Sequence, residues 1–366
     1  MRSSSSSRWP LSPRPRASRW RRSRRTCCRA SACAISAPDR AAGPAPIGAG
    51  PAVIIAGCIS STGSALPSRS ISLENPVSQH PAIAASNAAV VTGAASGIGH
   101  AAAVHFAAHG MHVVLVDRPG HPLDDAASDV LDAARKAGHA HSVVEARAAD
   151  VADFAAVQAL ADAVFAAYDH VGVVMNNAGV NGGGGVFEKH DRWQTLMQVN
   201  LWGVLHGCQA FGPRLVAQNG PAAIINTGSK QGLTNPPGDA AYNVTKAGVK
   251  AYTEAMAHEL REMTGDDRVT THLLVPGFTY TGMSKSRHPT QPAEAWTPAQ
   301  VIDYMDTALA AGDFYIICPD NAVDAATDRR RIAWAAGDIT ENRPALSRWH
   351  SDYRQTFADY VDGSTS

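Results

Sequence analysis

Tyr242 and Lys246 stand four residues apart. On a helix that spacing puts both side chains on one face, about one turn (roughly 6 Å of rise) from each other. An ammonium beside a phenol favours the phenolate and lowers a pKa that is about 10 in water. The pair therefore reads as an acid/base unit for work near neutral pH, with Tyr242 moving the proton. Ser229 lies thirteen residues upstream and is suited to hydrogen-bonding a substrate oxygen beside it. A tyrosine and lysine at this spacing are common by chance, so the surrounding chain must carry the argument.

Ala88-Ala-Val-Val-Thr92 is a short apolar run, followed by Gly93-Ala-Ala-Ser96-Gly97-Ile98-Gly99 and an alanine-rich stretch to His109. The pattern predicts strand, glycine turn and helix. Gly93 permits the turn, Gly97 admits a pyrophosphate against the backbone, and Gly99 lets helix pack on strand. His112–Asp117 predicts a second buried strand ending in an acid. A carboxylate there accepts hydrogen bonds from ribose hydroxyls and repels a 2′-phosphate, so Asp117 argues for NAD over NADP. Arg118 beside it is a residue able to hold a phosphate.

Beyond Asp117 the chain alternates between helical and apolar strand-like runs. Helices are expected over about 123–137, 153–168, 191–217 and 240–263. Strands are expected at about 142–146, 171–175, 222–226, 269–275 and 314–318. This alternation predicts parallel strands joined by right-handed crossovers, with ligands at their carboxyl ends. Asn176-Asn177-Ala178-Gly179 closes one such strand, and the 191–217 helix carries Asn200.

Eleven of the 32 basic residues are arginines within residues 1–40, beside a single acid, Asp39, so the rest of the chain is net acidic. Nothing in it suggests a nucleic-acid surface. Residues 1–86, rich in Ser, Arg, Pro, Ala and Gly, show no period and read as a disordered extension. Transit-peptide, twin-arginine and lipoprotein readings each fit that extension poorly, and a non-native or overlong start fits better. No run of about 18 apolar residues predicts a membrane span. Four of six cysteines lie in the extension, leaving Cys208 and Cys318, which suits a reducing, cytoplasmic setting. Fifteen histidines show no ligand spacing, so His105, His109 and His112 read as surface or packing residues and no metal is expected.

Taken together, TGAASGIG at 92–99, Asp117, Asp150-Val151, NNAG at 176–179, Asn200, Ser229, YNVTK at 242–246 and PGFTYT at 276–281 resemble the short-chain dehydrogenase/reductase family in order and spacing. The resemblance implies a single Rossmann-type doubly wound parallel sheet of about seven strands over residues 87–320. It implies a nicotinamide cofactor and an Asn200–Ser229–Tyr242–Lys246 tetrad that oxidises a secondary alcohol or reduces a ketone. Asn200 would hold a water in a proton relay, Ser229 would orient the substrate oxygen, and Lys246 would bind the nicotinamide ribose. Asp150 and Val151 are expected near the adenine, Asn177, Ala178 and Gly179 beside the ribose, and Pro276, Gly277 and Thr281 around the carboxamide. The helices at 191–217 and 240–263 would form the two-fold four-helix interface of a homodimer or homotetramer. A dinucleotide sensor and an epimerase or dehydratase of the same fold are the competing readings.

Substrate contacts are expected from Asn181, Lys230, Gln231 and Tyr280, with Lys230 or Gln231 favouring a polar or anionic group. Residues 282–311 are expected to form a mobile lid, and Asn181–Gly185 a second flexible wall. Residues 321–366 lack the family's usual ending and are expected to pack on the domain or on a neighbouring subunit.

Overall fold

The computed structural model describes residues 79–120, 122–285 and 288–363. The extension expected over residues 1–86 falls mostly outside them. Its last residues do not: His80, Ala82 and Ile83 are buried against the domain, so packed chain begins by residue 80 rather than after 86.

Seven parallel strands form one sheet in the order β3-β2-β1-β4-β5-β6-β7. They are β1 (Ala88–Thr92), β2 (His112–Asp117), β3 (Val144–Ala148), β4 (Val171–Asn176), β5 (Ala222–Thr227), β6 (Val269–Val275) and β7 (Tyr315–Ile317). Strand order reverses between β1 and β4, which opens a crevice at their carboxyl ends, where sheets of this kind bind ligands. All of β1, β4 and β5 is buried, as expected for strands covered on both faces.

The helices are α1 (Gly97–Ala108), α2 (Leu123–Lys136), α3 (Phe154–Ala167), α4 (His190–Leu196), α5 (Gly203–Ala217), α6 (Gln231–Thr234), α7 (Ala240–Thr264), α8 (Gly282–Lys285), α9 (Pro298–Ala310), α10 (Ala325–Thr340) and α11 (Arg354–Asp362). One face of the sheet packs on α1, α2 and α9 through Phe106, Val130 and Met305. The opposite face packs on α3, α5 and α7 through Val164, Phe211 and Val249. Ala102, Ala103 and Ala107 explain the alanine-rich α1: small side chains let it lie close to the strands.

The expected lid over 282–311 needs correction in its second half. Residues 298–310 are α9, with Val301, Ile302, Met305 and Leu309 buried in the core. A parallel β6–β7 pair requires a crossover, and α9 supplies it. Pro298 follows Thr297, whose side chain forms a capping box with Gln300. The prolines and tryptophan that suggested a lid instead mark the approach to a helix. Trp296 is held by a bridge to Thr279, and its indole N–H donates to Asn321 Oδ1 at 3.1 Å. Among the described residues no helix is long and apolar enough to cross a membrane.

Candidate active site

The turn after β1 is closed from several sides. Gly93 has φ +68°, and a Cβ there would stand 2.8 Å from Ala178 Cα. A Cβ on Gly99 would collide with the Gly93 carbonyl oxygen, so helix and turn meet with no room for a side chain. The Asp117 carboxylate accepts from the Ala95 N–H at 3.2 Å and from the Arg118 N–H at 2.9 Å. The acid at the end of β2 thus sits against the glycine turn. Thr92 Oγ1 accepts from the Asn177 and Ala178 amides at 2.9 and 3.1 Å. The Asn177 side chain turns back to the Thr92 carbonyl at 3.1 Å and serves the turn itself. Ser96 precedes α1, Ile98 packs against the core from its first turn, and Thr281 lies against Gly97. Asp150 caps its own turn through the Ala152 amide at 2.9 Å, and Val151 is buried against Gly203. Backbone glycines, a helix N-terminus and an acid against the turn fit a dinucleotide.

The four expected catalytic residues converge beside this turn. Between α4 and α5 the chain stays helical but widens to a π turn over Met197–Trp202, with Asn200 wholly buried inside it. Such single-turn bulges re-aim a backbone segment at functional sites. The Asn200 side-chain amide donates to the Val180 carbonyl and accepts from the Val180 N–H, both at 2.8 Å. Lys246 is buried and donates to the Thr227 carbonyl at 2.7 Å. Its ammonium stands 5.7 Å from the centre of the Tyr242 ring. A Cβ built on Gly179 would meet Asn200 Oδ1 at 3.5 Å and Lys246 Nζ at 3.9 Å, so both polar ends frame one point.

Electrostatics differ from the expectation that Lys246 lowers Tyr242. Burial pushes the Tyr242 phenol up; the Ser229 hydrogen bond pulls it down by less, and the Asp239 charge adds to the rise. Burial also drives Lys246 down to about 8. In the protein alone the dominant influence on both groups is loss of water rather than their mutual charge.

Asp239 is the residue that motif spacing missed. It caps α7 by accepting from the Tyr242 N–H at 3.2 Å. It also accepts from the Gly182 and Gly183 amides at 2.9 and 3.1 Å. The Asn181–Gly185 wall is therefore tied to the helix that carries Tyr242, which corrects its reading as a flexible segment. A Cβ on Gly183 would clash with Ala241, so the glycine content permits close approach here. An acid three residues before a helical tyrosine is a capping signal that sequence offers in principle. The Asn181 carbonyl is held by Arg192 at 2.6 Å.

Lys230 does not serve as a free cation for an anionic substrate. Its ammonium pairs with Asp320 at 3.2 Å and with Asp328 of α10 at 2.6 Å. Asp320 also accepts from the Phe278 N–H at 3.0 Å, so one carboxylate joins the loop after β6 to the residue next to Ser229. Lys230 thus anchors the C-terminal segment to the catalytic loop. Removing one partner of a buried ionic cluster leaves its carboxylates unpaired. Lys230→Met is accordingly expected to cost about 3 kcal/mol in a urea titration. Wild-type stability in that variant would refute the anchoring role. Gln231 begins α6 with its N–H on Ser229 Oγ at 3.2 Å. Tyr280 directs its hydroxyl to the Pro289 carbonyl at 3.0 Å. Pro276 and Gly277 follow the carboxyl end of β6. A pocket of about 950 Å³ lined by Val186, Phe187, Trp193 and Met197 lies along α4 and includes none of the tetrad.

Known proteins place this arrangement. The short chain dehydrogenase profile matches residues 87–292. A 1-deoxy-11-beta-hydroxypentalenate dehydrogenase of Streptomyces avermitilis is 33% identical over 252 residues, 67% of this chain and 89% of that protein. A short chain dehydrogenase/reductase of Burkholderia phymatum, solved in complex with NAD, superposes with a TM-score of 0.60 at 31% identity over 71% of this chain and 96% of that one. A short-chain dehydrogenase of Sphingobium yanoikuyae, solved with NADPH, gives a TM-score of 0.57 at 25% identity, covering 70% and 95%. With the profile spanning more than half of the chain and a relative matched along two thirds of it, the protein belongs to the short-chain dehydrogenase/reductase family of oxidoreductases.

Proposed function

We propose that this protein is an NAD-dependent dehydrogenase or reductase acting on a secondary alcohol or the matching ketone. The observation that carries the reading is the convergence of Asn200, Ser229, Tyr242 and Lys246 beside a glycine turn closed by Asp117. When bound, the nicotinamide ring supplies or accepts the hydride.

The chain's own residues do the rest. Ser229, whose hydroxyl acts on the Tyr242 phenol, holds the substrate oxygen beside it. Tyr242 gives a proton to that oxygen during reduction and takes it back during oxidation. Lys246 holds a ribose hydroxyl, and its charge favours the phenolate at the moment the proton leaves. Asn200, reshaped by its π turn, orients a water that connects Lys246 to solvent. The crevice orients the reacting groups and limits water around them. With Lys230 neutralised by two aspartates, the substrate mouth gains no net positive charge from it, and a neutral substrate fits better than an anion. The α5 and α7 faces, with a groove lined by Gly212, Pro213, Val216, Tyr252 and Met256, support assembly as a two-fold dimer or tetramer.

Asp117 carries the cofactor choice. Full-length protein assayed on secondary alcohols and ketones is expected to turn over faster with NAD(H) than with NADP(H). Asp117→Ser is expected to narrow or invert that ratio by removing the charge that repels a 2′-phosphate. Equal use of both cofactors by the wild type, unchanged in Asp117→Ser, would refute the assignment.

A further inference from the structure

On the sheet face away from the tetrad, α1 and α9 cross and bring His105, His109 and Asp306 together. A ligand atom from each lies within 4.8 Å of the others. His105 Nε2 and Asp306 Oδ1 face each other at 3.3 Å. Both atoms are buried, and neither makes a hydrogen bond of normal geometry. Buried polar atoms are rarely left in this state. The distance has a second meaning: two donors on a tetrahedral zinc, each about 2.1 Å from the metal, stand about 3.4 Å apart.

His109 completes the arrangement. Its Nδ1 lies 2.8 Å from the His105 carbonyl oxygen, where it donates a proton and leaves Nε2 as the ring's lone-pair nitrogen. Metal-ligating histidines are typically oriented through such a bond from the other ring nitrogen. The two imidazoles are four residues apart, His105 in the last turn of α1 and His109 as its C-cap, with ring centres 4.3 Å apart. The sequence spacing that seemed uninformative for these histidines becomes ligand spacing once Asp306 arrives from two hundred residues away.

We infer that His105, His109 and Asp306 form a site for one divalent transition-metal ion of the zinc, cobalt or nickel kind. Two imidazoles and one carboxylate suit such an ion rather than magnesium or calcium, which prefer all-oxygen shells. The fourth position is left to solvent. The ion clips the carboxyl-terminal half of α1 to α9, and so fixes the helix whose amino end begins at the glycine turn.

The test uses tag-free full-length protein stripped with EDTA and dialysed. Titration with Co²⁺ is expected to give the intense visible bands of four-coordinate cobalt, saturating at one equivalent per chain. Zn²⁺ is expected to abolish those bands by displacement and to raise the Tm, with EDTA reversing the rise. Asp306→Asn, which keeps the side-chain shape, and His109→Ala are each expected to weaken Co²⁺ binding at least about tenfold. Absence of the cobalt bands would overturn the proposal. Bands that persist unchanged in both variants would also overturn it, because the ion would then sit elsewhere.

Discussion

Tyr242→Phe is expected to reduce kcat by about 10²- to 10⁴-fold while leaving dinucleotide binding near wild type. The substitution removes one oxygen and keeps the ring that packs beside Lys246. Its effect therefore falls on the transferred proton rather than on the shape of the crevice. NADH fluorescence titration and steady-state turnover, run on the same preparation, separate the two quantities. Loss of both would point to a collapsed site. Loss of neither would rule out Tyr242 as the acid/base and return the dinucleotide sensor to contention. Direction matters too. Burial holds the phenol protonated at neutral pH, so Tyr242 is ready to donate. Ketone reduction is expected to run well at neutral pH, and alcohol oxidation to gain rate as pH rises.

Lys246→Met is the second large effect, and it acts on activity and stability in opposite directions. Turnover is expected to fall by about 10²- to 10⁴-fold because the proposed ribose contact and the charge beside Tyr242 disappear together. Stability moves the other way at neutral pH. Burial lowers Lys246 from 10.5 to about 8, so below that pH the folded protein holds an ammonium in a site that disfavours charge. A shift of that size corresponds to about 3 kcal/mol of penalty. Between pH 8 and 10.5 the unfolded chain binds the larger share of the proton, so wild-type stability rises with pH across that window. Lys246→Met has no such proton. Its stability relative to wild type is expected to be greatest near pH 7 and to decline toward pH 10. Taking the comparison across pH removes the constant loss of the hydrogen bond to the Thr227 carbonyl. Parallel stability–pH curves for the two proteins would sink the account. The site is thus held at a cost to the fold, as functional sites often are.

Much of the sheet was legible because its determinants are local. β1, β2 and β6 coincide with the apolar runs that predicted them, and the glycine turn and YNVTK fall where an α/β crevice needs them. What stayed hidden depends on residues far apart in the chain. Lys230 reads as a cation at the mouth until Asp320 and Asp328 are seen around it, about ninety residues later. His105 and His109 read as surface or packing residues until Asp306 is brought beside them. The π turn at Asn200 leaves no mark in a sequence whose helical period continues through it. The error over residues 298–310 had a different origin. The Thr297–Gln300 capping box was present in the sequence, but the neighbouring prolines were weighted as loop residues.

The ion cluster at Lys230 also fixes an order of events during synthesis. Ser229 and Lys230 leave the ribosome well before Asp320 and Asp328, which close the cluster and hold the Phe278 amide. At roughly 5–20 residues per second, an interval of several seconds separates the catalytic loop from its counter-ions. For most of that interval the nascent chain carries the glycine turn and, once Lys246 is made, all four tetrad residues, yet Lys230 lacks its counter-ions. The cluster is therefore closed late, after the first six strands have been made, when the last fifty or so residues dock.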